Sequence, residues 1–306
     1  MVRSLITGAS GFAGRALLEH LTDSGDEVVS WSRATGDPDI TDRKAVAEAI
    51  ETAAVDVIYH LAAQSHVPTA WSDPVSTLRI NVEGTQNVLD AALTANRPRV
   101  LVVTSAEVYG AVEPEHLPIT EHTPLRPSNP YAASKAAADA IALAAHLGRD
   151  LDVVRLRSFN HFGPGQDPSF VSPGFARRIA IAARDGHSSI EVGALDVRRD
   201  FCDVRDVVRA YRLAAIDGVS GEVYNVCSGA DRPIRDIADA FVERSGADIA
   251  FVQSPDFLRN VDSPVVRGSA ERLAEHTGWA PAIPFDQTID DIYAEALRNL
   301  DSGSSK

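Results

Sequence analysis

Three side chains in this sequence have the types and spacing to move a proton onto an oxygen during carbonyl chemistry: Ser105, Tyr131 and Lys135. The last two stand four apart in Ser128-Asn129-Pro130-Tyr131-Ala132-Ala133-Ser134-Lys135. The residues after Pro130 are strongly helical, so the spacing predicts both side chains on one face of one turn. A phenol titrates near pKa ~10, and a neighbouring ammonium favours its phenolate, which poises the group to pass a proton near neutral pH. Taken alone, a Y-x-x-x-K is more often an ordinary helix start with a half-buried tyrosine and a solvated lysine. The rest of the chain decides between the two.

The elements that must position these residues begin at the N-terminus. Residues 2–7 read as an apolar strand, followed by Gly8-Ala9-Ser10-Gly11-Phe12-Ala13-Gly14 and a segment of helical apolar spacing from Arg15 to Leu21. Three glycines three apart let the backbone turn tightly and approach a pyrophosphate at a helix N-terminus, so Gly8, Gly11, Phe12, Ala13 and Gly14 are expected to line a dinucleotide site. The second strand, residues 27–31, ends in Ser32-Arg33, where a NAD-specific site usually has an acid. A cation in place of an acid suits a 2'-phosphate and hence NADPH. The competing reading makes Arg33 a solvated loop residue, with NADH tolerated as well. Asp39-Ile40 is expected to border the adenine.

A helix over 42–53 leads to a strand over 55–61, which closes on the small residues Ala62 and Ala63 after Leu61, then Gln64, Ser65 and His66. Small residues there let a cofactor lie against the strand end. His66 has no His, Cys or carboxylate companion at metal spacing, so it reads as a loop residue near substrate and no metal site is expected. After a helix over 74–95, the continuous apolar run of residues 99–104 predicts a buried strand that delivers Ser105 to its carboxyl end, where parallel α/β sheets bind ligands. The alternation continues through a helix over 130–147 and a strand over 152–156. The expected class is α/β, a Rossmann-like doubly wound parallel sheet, with a smaller, discontinuous α/β substrate-binding domain. Its expected division is 1–158 with 201–230 for the dinucleotide, 159–200 with 231–300 for the substrate, and a disordered tail over 301–306. Residues 231–300 are expected to hold smaller helices and one strand.

Composition sets outer limits. The 306 residues carry a formal charge of -14, which argues against nucleic acid and anionic membranes as partners, and 44% hydrophobic residues suffice for a core. Cys202 and Cys227 are the only cysteines, without metal or disulfide spacing, and read as two buried thiols. No signal peptide or membrane-length apolar run is evident, so a soluble protein of the cytoplasm is expected.

With Gly8-x-x-Gly11-x-x-Gly14, Ser105, Tyr131-x-x-x-Lys135 and Phe159-Asn160 in that order, nearly the whole chain resembles the extended short-chain dehydrogenase/reductases that act on nucleotide sugars. Further stretches that carry the resemblance are Phe159 to Gln166, Phe175-Ala176-Arg177-Arg178-Ile179, Arg199-Asp200-Phe201-Cys202-Asp203-Val204, Tyr224 to Gly229 and Thr277-Gly278-Trp279. The resemblance implies reduction of the C4 ketone of GDP-4-keto-6-deoxy-D-mannose to GDP-D-rhamnose. It assigns Tyr131 as general acid, Lys135 as ribose anchor and tuner of Tyr131, and Ser105 as donor to the substrate oxygen. Leu61, Ala62, Ala63, Thr104 and Phe159 join the cofactor site. Gln64, Ser65, Ser105, Ala106, Glu107, Asn160, Arg177, Arg199 and Arg259 join the substrate site, the arginines through forked contacts to a nucleotide diphosphate.

Sugar 4,6-dehydratases commonly read Thr-Asp-Glu where this chain reads Ser105-Ala106-Glu107. Glu107 is retained as a candidate catalytic base, but alanine has no proton with which to expel a C6 hydroxyl. A dehydratase of the GDP-mannose type therefore stays open as the alternative, a 4-epimerase is disfavoured by Ser32-Arg33, and a non-catalytic NADP sensor is disfavoured by the intact Tyr131 and Lys135. Alanine on every face from Ala132 to Ala145 leaves a small-residue face beyond the one packed on the sheet. The helices over 74–95 and 130–147 are therefore expected to form a four-helix bundle in a homodimer.

Overall fold

The computed structural model of the chain describes residues 2–32, 36–257 and 263–303. Its first half alternates strand and helix: β1 (Arg3–Thr7), α1 (Phe12–Asp23), β2 (Glu27–Trp31), α2 (Arg43–Ala53), β3 (Val57–His60), α3 (Val67–Ser72), α4 (Pro74–Leu78), α5 (Gly84–Thr94), β4 (Arg99–Ser105), α6 (Pro130–Arg149) and β5 (Val153–Ser158). The second half holds β6 (Asn160–Phe162), α7 (Val171–Asp185), β7 (Ser189–Val192), β8 (Arg198–Asp203), α8 (Val204–Ile216), β9 (Val223–Val226), β10 (Asp231–Pro233), α9 (Ile234–Ser245), β11 (Ala250–Gln253), β12 (Val265–Val266), α10 (Glu271–Thr277) and α11 (Phe285–Asp301).

Six strands form a parallel sheet in the order β2-β1-β3-β4-β5-β9. The order reverses between β1 and β3, and the crevice beyond the strands' carboxyl ends at that point is where a doubly wound sheet takes its ligand. Apolar residues of α1 and α8 cover one face, including Leu17, Leu21, Val207 and Tyr211. The other face is covered by α2, α5 and α6 through Val46, Ile50, Val88, Leu89 and Ala142. A separate core of Phe175, Ile179, Ile237, Phe241, Ile289 and Ile292 unites α7, α9 and α11.

The expected helix over 74–95 is interrupted by a π-helical turn over Arg79–Glu83, which turns Asn81 inward. Where one strand was expected in residues 231–300, three short ones occur. They pair locally: β10 antiparallel and β12 parallel to β8, and β11 parallel to β7. Strands of two to four residues carry too little periodicity to be read from sequence. Asp301, placed in the expected tail, closes α11, and the turn after it reaches Gly303. Both cysteines are buried and free, and among the described residues no helix is long and apolar enough to cross a membrane.

Candidate active site

The first wall of the crevice is the glycine turn. Gly8 has φ +77°, and a Cβ there would lie 2.8 Å from the backbone nitrogen of Ala62, while one on Gly14 would lie 2.2 Å from Gly8 O. The turn and helix start can therefore pack this closely only with glycine at both positions. Gly11 stands at the N-cap of α1, and among the described residues no side chain caps that terminus. Its amides suit an anion such as a pyrophosphate, which is the fit a dinucleotide requires. Ala13 lies in the first turn, and Phe12 stacks on His161 with centroids 5.9 Å apart, joining the turn to β6.

Beside it, Leu61 N and Ala62 N bond to the backbone and hydroxyl of Thr7, and Ala63 follows at the same edge. His60 beneath them is held between Thr7 Oγ1 at 2.8 Å and Thr85 Oγ1 at 3.0 Å, and burial pushes its pKa down to about 3. Not every expected cofactor residue turns its side chain to this crevice. Ile40 packs on Gly84 of α5, Thr104 Oγ1 donates to Leu156 O at 3.1 Å, and Phe159 is 3% exposed in a cluster with Tyr109 and Cys227. Asp39 accepts from both the amide and the hydroxyl of Thr41. Ser32 follows β2 and donates from Oγ to Ser10 Oγ at 2.6 Å. Arg33 lies outside the described residues.

The reactive groups meet where β4 ends and α6 begins. Asn129 caps α6 by accepting from Ala132 N, Pro130 opens the helix, and the first turn carries Tyr131. Ser105, at the end of β4, and Tyr131, in the first turn of α6, lie close enough for the serine to act on the phenol. Burial pushes the phenol up to about 12, Ser105 opposes the rise, and the charge of Glu107 adds to it. The sequence expects Lys135 to draw the phenol toward phenolate. Lys135 Nζ donates instead to Val103 O at 2.9 Å, and burial pushes its pKa down to about 8. A phenol that burial holds protonated is a proton donor, not a base, at neutral pH.

On the substrate side, Glu107 is exposed and accepts from Asn129 Nδ2 at 3.0 Å, with Ala106 between it and Ser105. Gln64 is held by Asn81, which accepts from Gln64 N at 2.8 Å and donates to Gln64 O. Asn81 also donates to Ser134 Oγ at 2.8 Å, which in turn donates to Tyr131 O. Ser65 and His66 are exposed on the same loop. Asn160 and Arg177 are exposed, whereas Arg199 donates to the carbonyls of Arg198 and Ser263. Arg259 lies outside the described residues. Among the described residues no group of His, Cys, Asp and Glu is arranged to hold a metal.

Three supporting features were not picked out from sequence. Asn129 was legible in principle, since Asn before Pro is a strong helix-start signal. Asn81 was not, because its partners lie 17 and 53 residues away. The third is a buried network: Asp139 on α6 accepts from Arg155 at 2.8 Å and from both ends of the Arg157 fork, and Arg157 donates to Tyr109 Oη at 3.0 Å. Tyr109 Oη in turn donates to Asn225 Oδ1 of β9 at 2.7 Å. Lys135 and Asp139 are one turn apart, so this network fixes the catalytic helix against β5 and β9.

Comparison with known proteins gives the family. Residues 4–227 match the model of the NAD dependent epimerase/dehydratase family. The chain is 36% identical over 297 residues to GDP-6-deoxy-D-mannose reductase of Pseudomonas aeruginosa, covering 96% of each chain. It is 34% identical over 300 residues to dTDP-glucose 4,6-dehydratase of Streptomyces griseus, covering 91% of this chain and 89% of that one. Among solved structures, RMD from Pseudomonas aeruginosa complexed with NADPH superposes with a TM-score of 0.89 at 35% identity over 98% of this chain and 100% of that one. UDP-glucose 4-epimerase of Thermus thermophilus complexed with NAD gives 0.83 at 28% identity over 96% and 98%.

Proposed function

The chain belongs to the NAD dependent epimerase/dehydratase family, and from that membership we propose that it is an NADPH-dependent reductase converting the C4 ketone of GDP-4-keto-6-deoxy-D-mannose to GDP-D-rhamnose. The observation that carries the reading is the Ser105–Tyr131 pair, a hydroxyl at the end of β4 and a phenol that burial pushes up to about 12 and Ser105 in part pulls back, with Ala106 next to Ser105. NADPH, when bound, supplies the hydride. As oxyanion charge grows on the C4 oxygen, Ser105 donates a hydrogen bond and Tyr131 delivers the proton. Lys135, one turn along, anchors the nicotinamide ribose. Gly8, Gly11 and Gly14 admit the pyrophosphate.

The substrate's nucleotide diphosphate is assigned to the unit of residues 159–200 and 231–300, and the dinucleotide to residues 1–158 and 201–230. Asn160, Arg177, Arg199 and Arg259 line the former in this reading. The similarity to the Pseudomonas aeruginosa reductase supports a GDP-linked sugar over a dTDP- or UDP-linked one. A dehydratase reading draws on Glu107, held in place by Asn129, and on the Streptomyces griseus relative. Ala106, which has no proton to give a leaving hydroxyl, weighs against it without abolishing it.

The homodimer belongs to this proposal as well. Ala133, Ala140, Ala144 and Leu147 stand exposed along one side of α6, and Trp71, Val75 and Leu78 are exposed on α3 and α4, which pack beside it. An apolar face of this extent suits a second copy, and a cytoplasmic location belongs to the same reading.

The deciding experiment supplies GDP-mannose, a GDP-mannose dehydratase and NADPH, and identifies the sugar nucleotide formed. GDP-D-rhamnose is expected, at the expense of NADPH. Release of a 4-keto sugar from GDP-mannose by this chain alone, without the added dehydratase, would replace the reductase reading by the dehydratase one.

A further inference from the structure

The sequence puts no acid at the end of β2, yet the chain folds one back to that place. Asp37 Oδ2 accepts from the backbone amide of Ser32, the first residue beyond the strand, at 2.9 Å. Ser32 is 8% exposed and its hydroxyl donates to Ser10 Oγ in the glycine turn, while Ala9 N bonds to Trp31 O, so this corner is one joined unit of turn, strand end and acid. In a doubly wound sheet the end of the second strand is where the adenosine ribose is read, an acid favouring a free 2'-hydroxyl and a cation favouring a 2'-phosphate. Asp37 lies five positions along the chain from Ser32, so the strand end itself reads only Ser32-Arg33.

We infer that Asp37 sets the NADPH-to-NADH preference, holding it down by placing a carboxylate at the corner where the adenosine ribose is read. The inference rests on the dinucleotide reading of the glycine turn. A carboxylate at this corner accepts from a ribose hydroxyl but repels a phosphate dianion. Both effects move the ratio of affinities the same way. The wild-type chain therefore uses NADPH while keeping NADH within reach, and the acid, not only the arginine, decides the margin.

Asp37→Asn separates charge from structure, because its carbonyl oxygen can still accept from Ser32 N. The test titrates the full chain with NADPH and with NADH in the absence of sugar nucleotide, following nicotinamide fluorescence, at low and at high salt. In Asp37→Asn the ratio of NADH Kd to NADPH Kd is expected to rise by about tenfold over wild type at low salt, and by less at high salt, where the field is screened. A ratio unchanged within about twofold at low salt, or equal weakening of both cofactors, would overturn the inference and leave Asp37 a turn residue. Failure of the wild-type chain to bind either cofactor would instead overturn the dinucleotide reading, and this inference with it.

Discussion

Lys135 Nζ donates to the carbonyl oxygen of Val103, two residues before Ser105 on β4, and not to the phenol of Tyr131. With burial holding its pKa at about 8, this lysine loses its charge within the working range of an enzyme, whereas Tyr131, pushed up to about 12, stays protonated. The kcat/KM for NADPH, which reports the free enzyme, should therefore fall as pH rises through about 8. In Lys135→Arg, whose cation persists to high pH, that alkaline limb should vanish from the remaining activity. An alkaline limb unchanged in the variant would assign it to another group.

The same shift has a stability consequence. Because the folded pKa lies below the unfolded value, the unfolded chain binds more protons between about pH 8 and pH 10.5, and stability rises with pH across that window. The cost of burying the charge is fully present below pH 8. Lys135→Met should be more stable than wild type in urea at pH 7, by at most about 3 kcal/mol, with the gain shrinking toward pH 10.5. A loss of stability at pH 7 would mean that the Val103 bond outweighs the burial cost.

Tyr131→Phe keeps the ring and removes the proton donor. NADPH binding should persist while the reduction rate at saturating keto-sugar drops about 10²- to 10⁴-fold, the usual worth of general acid catalysis. Wild-type turnover of that variant, read from NADPH absorbance, would take Tyr131 out of the mechanism.

Asp139, 2% exposed, is the shared acceptor of Arg155 and Arg157. Asp139→Asn leaves two buried cations short of a counter-charge, a change that typically costs about 3–5 kcal/mol. Urea unfolding should show a loss of that order. A loss below about 1 kcal/mol would mean that the arginines find other partners and α6 does not depend on this network.

The proposed dimer is tested on the outer face of α6, where Ala144 is exposed and Ala137 half-buried. Ala137→Glu with Ala144→Glu places like charges across a two-fold interface, and sedimentation should show monomers where wild type shows dimers. A wild-type chain that already sediments as a monomer at micromolar concentration removes the dimer from the proposal.

Local spacing by itself determined much of this protein. The glycine turn was legible because strand, three spaced glycines and helix follow one another within residues 2–21, and Tyr131 and Lys135 because helix geometry alone sets their separation. The alternation of elements also sufficed for the parallel sheet and for the arrival of Ser105 at its carboxyl edge. Tertiary structure decided what the side chains do once there. Thr104 and Ile40 turn into the core, Lys135 reaches Val103 in place of Tyr131, and Asp37 returns to Ser32. Asp139 finds Arg155 and Arg157 on a neighbouring strand, and Asn81 finds Ser134 across 53 residues. Periodicity reports which face of an element is buried, but a hydrogen bond between distant residues depends on how those elements pack, and buried donors take whichever acceptor the packing brings within reach.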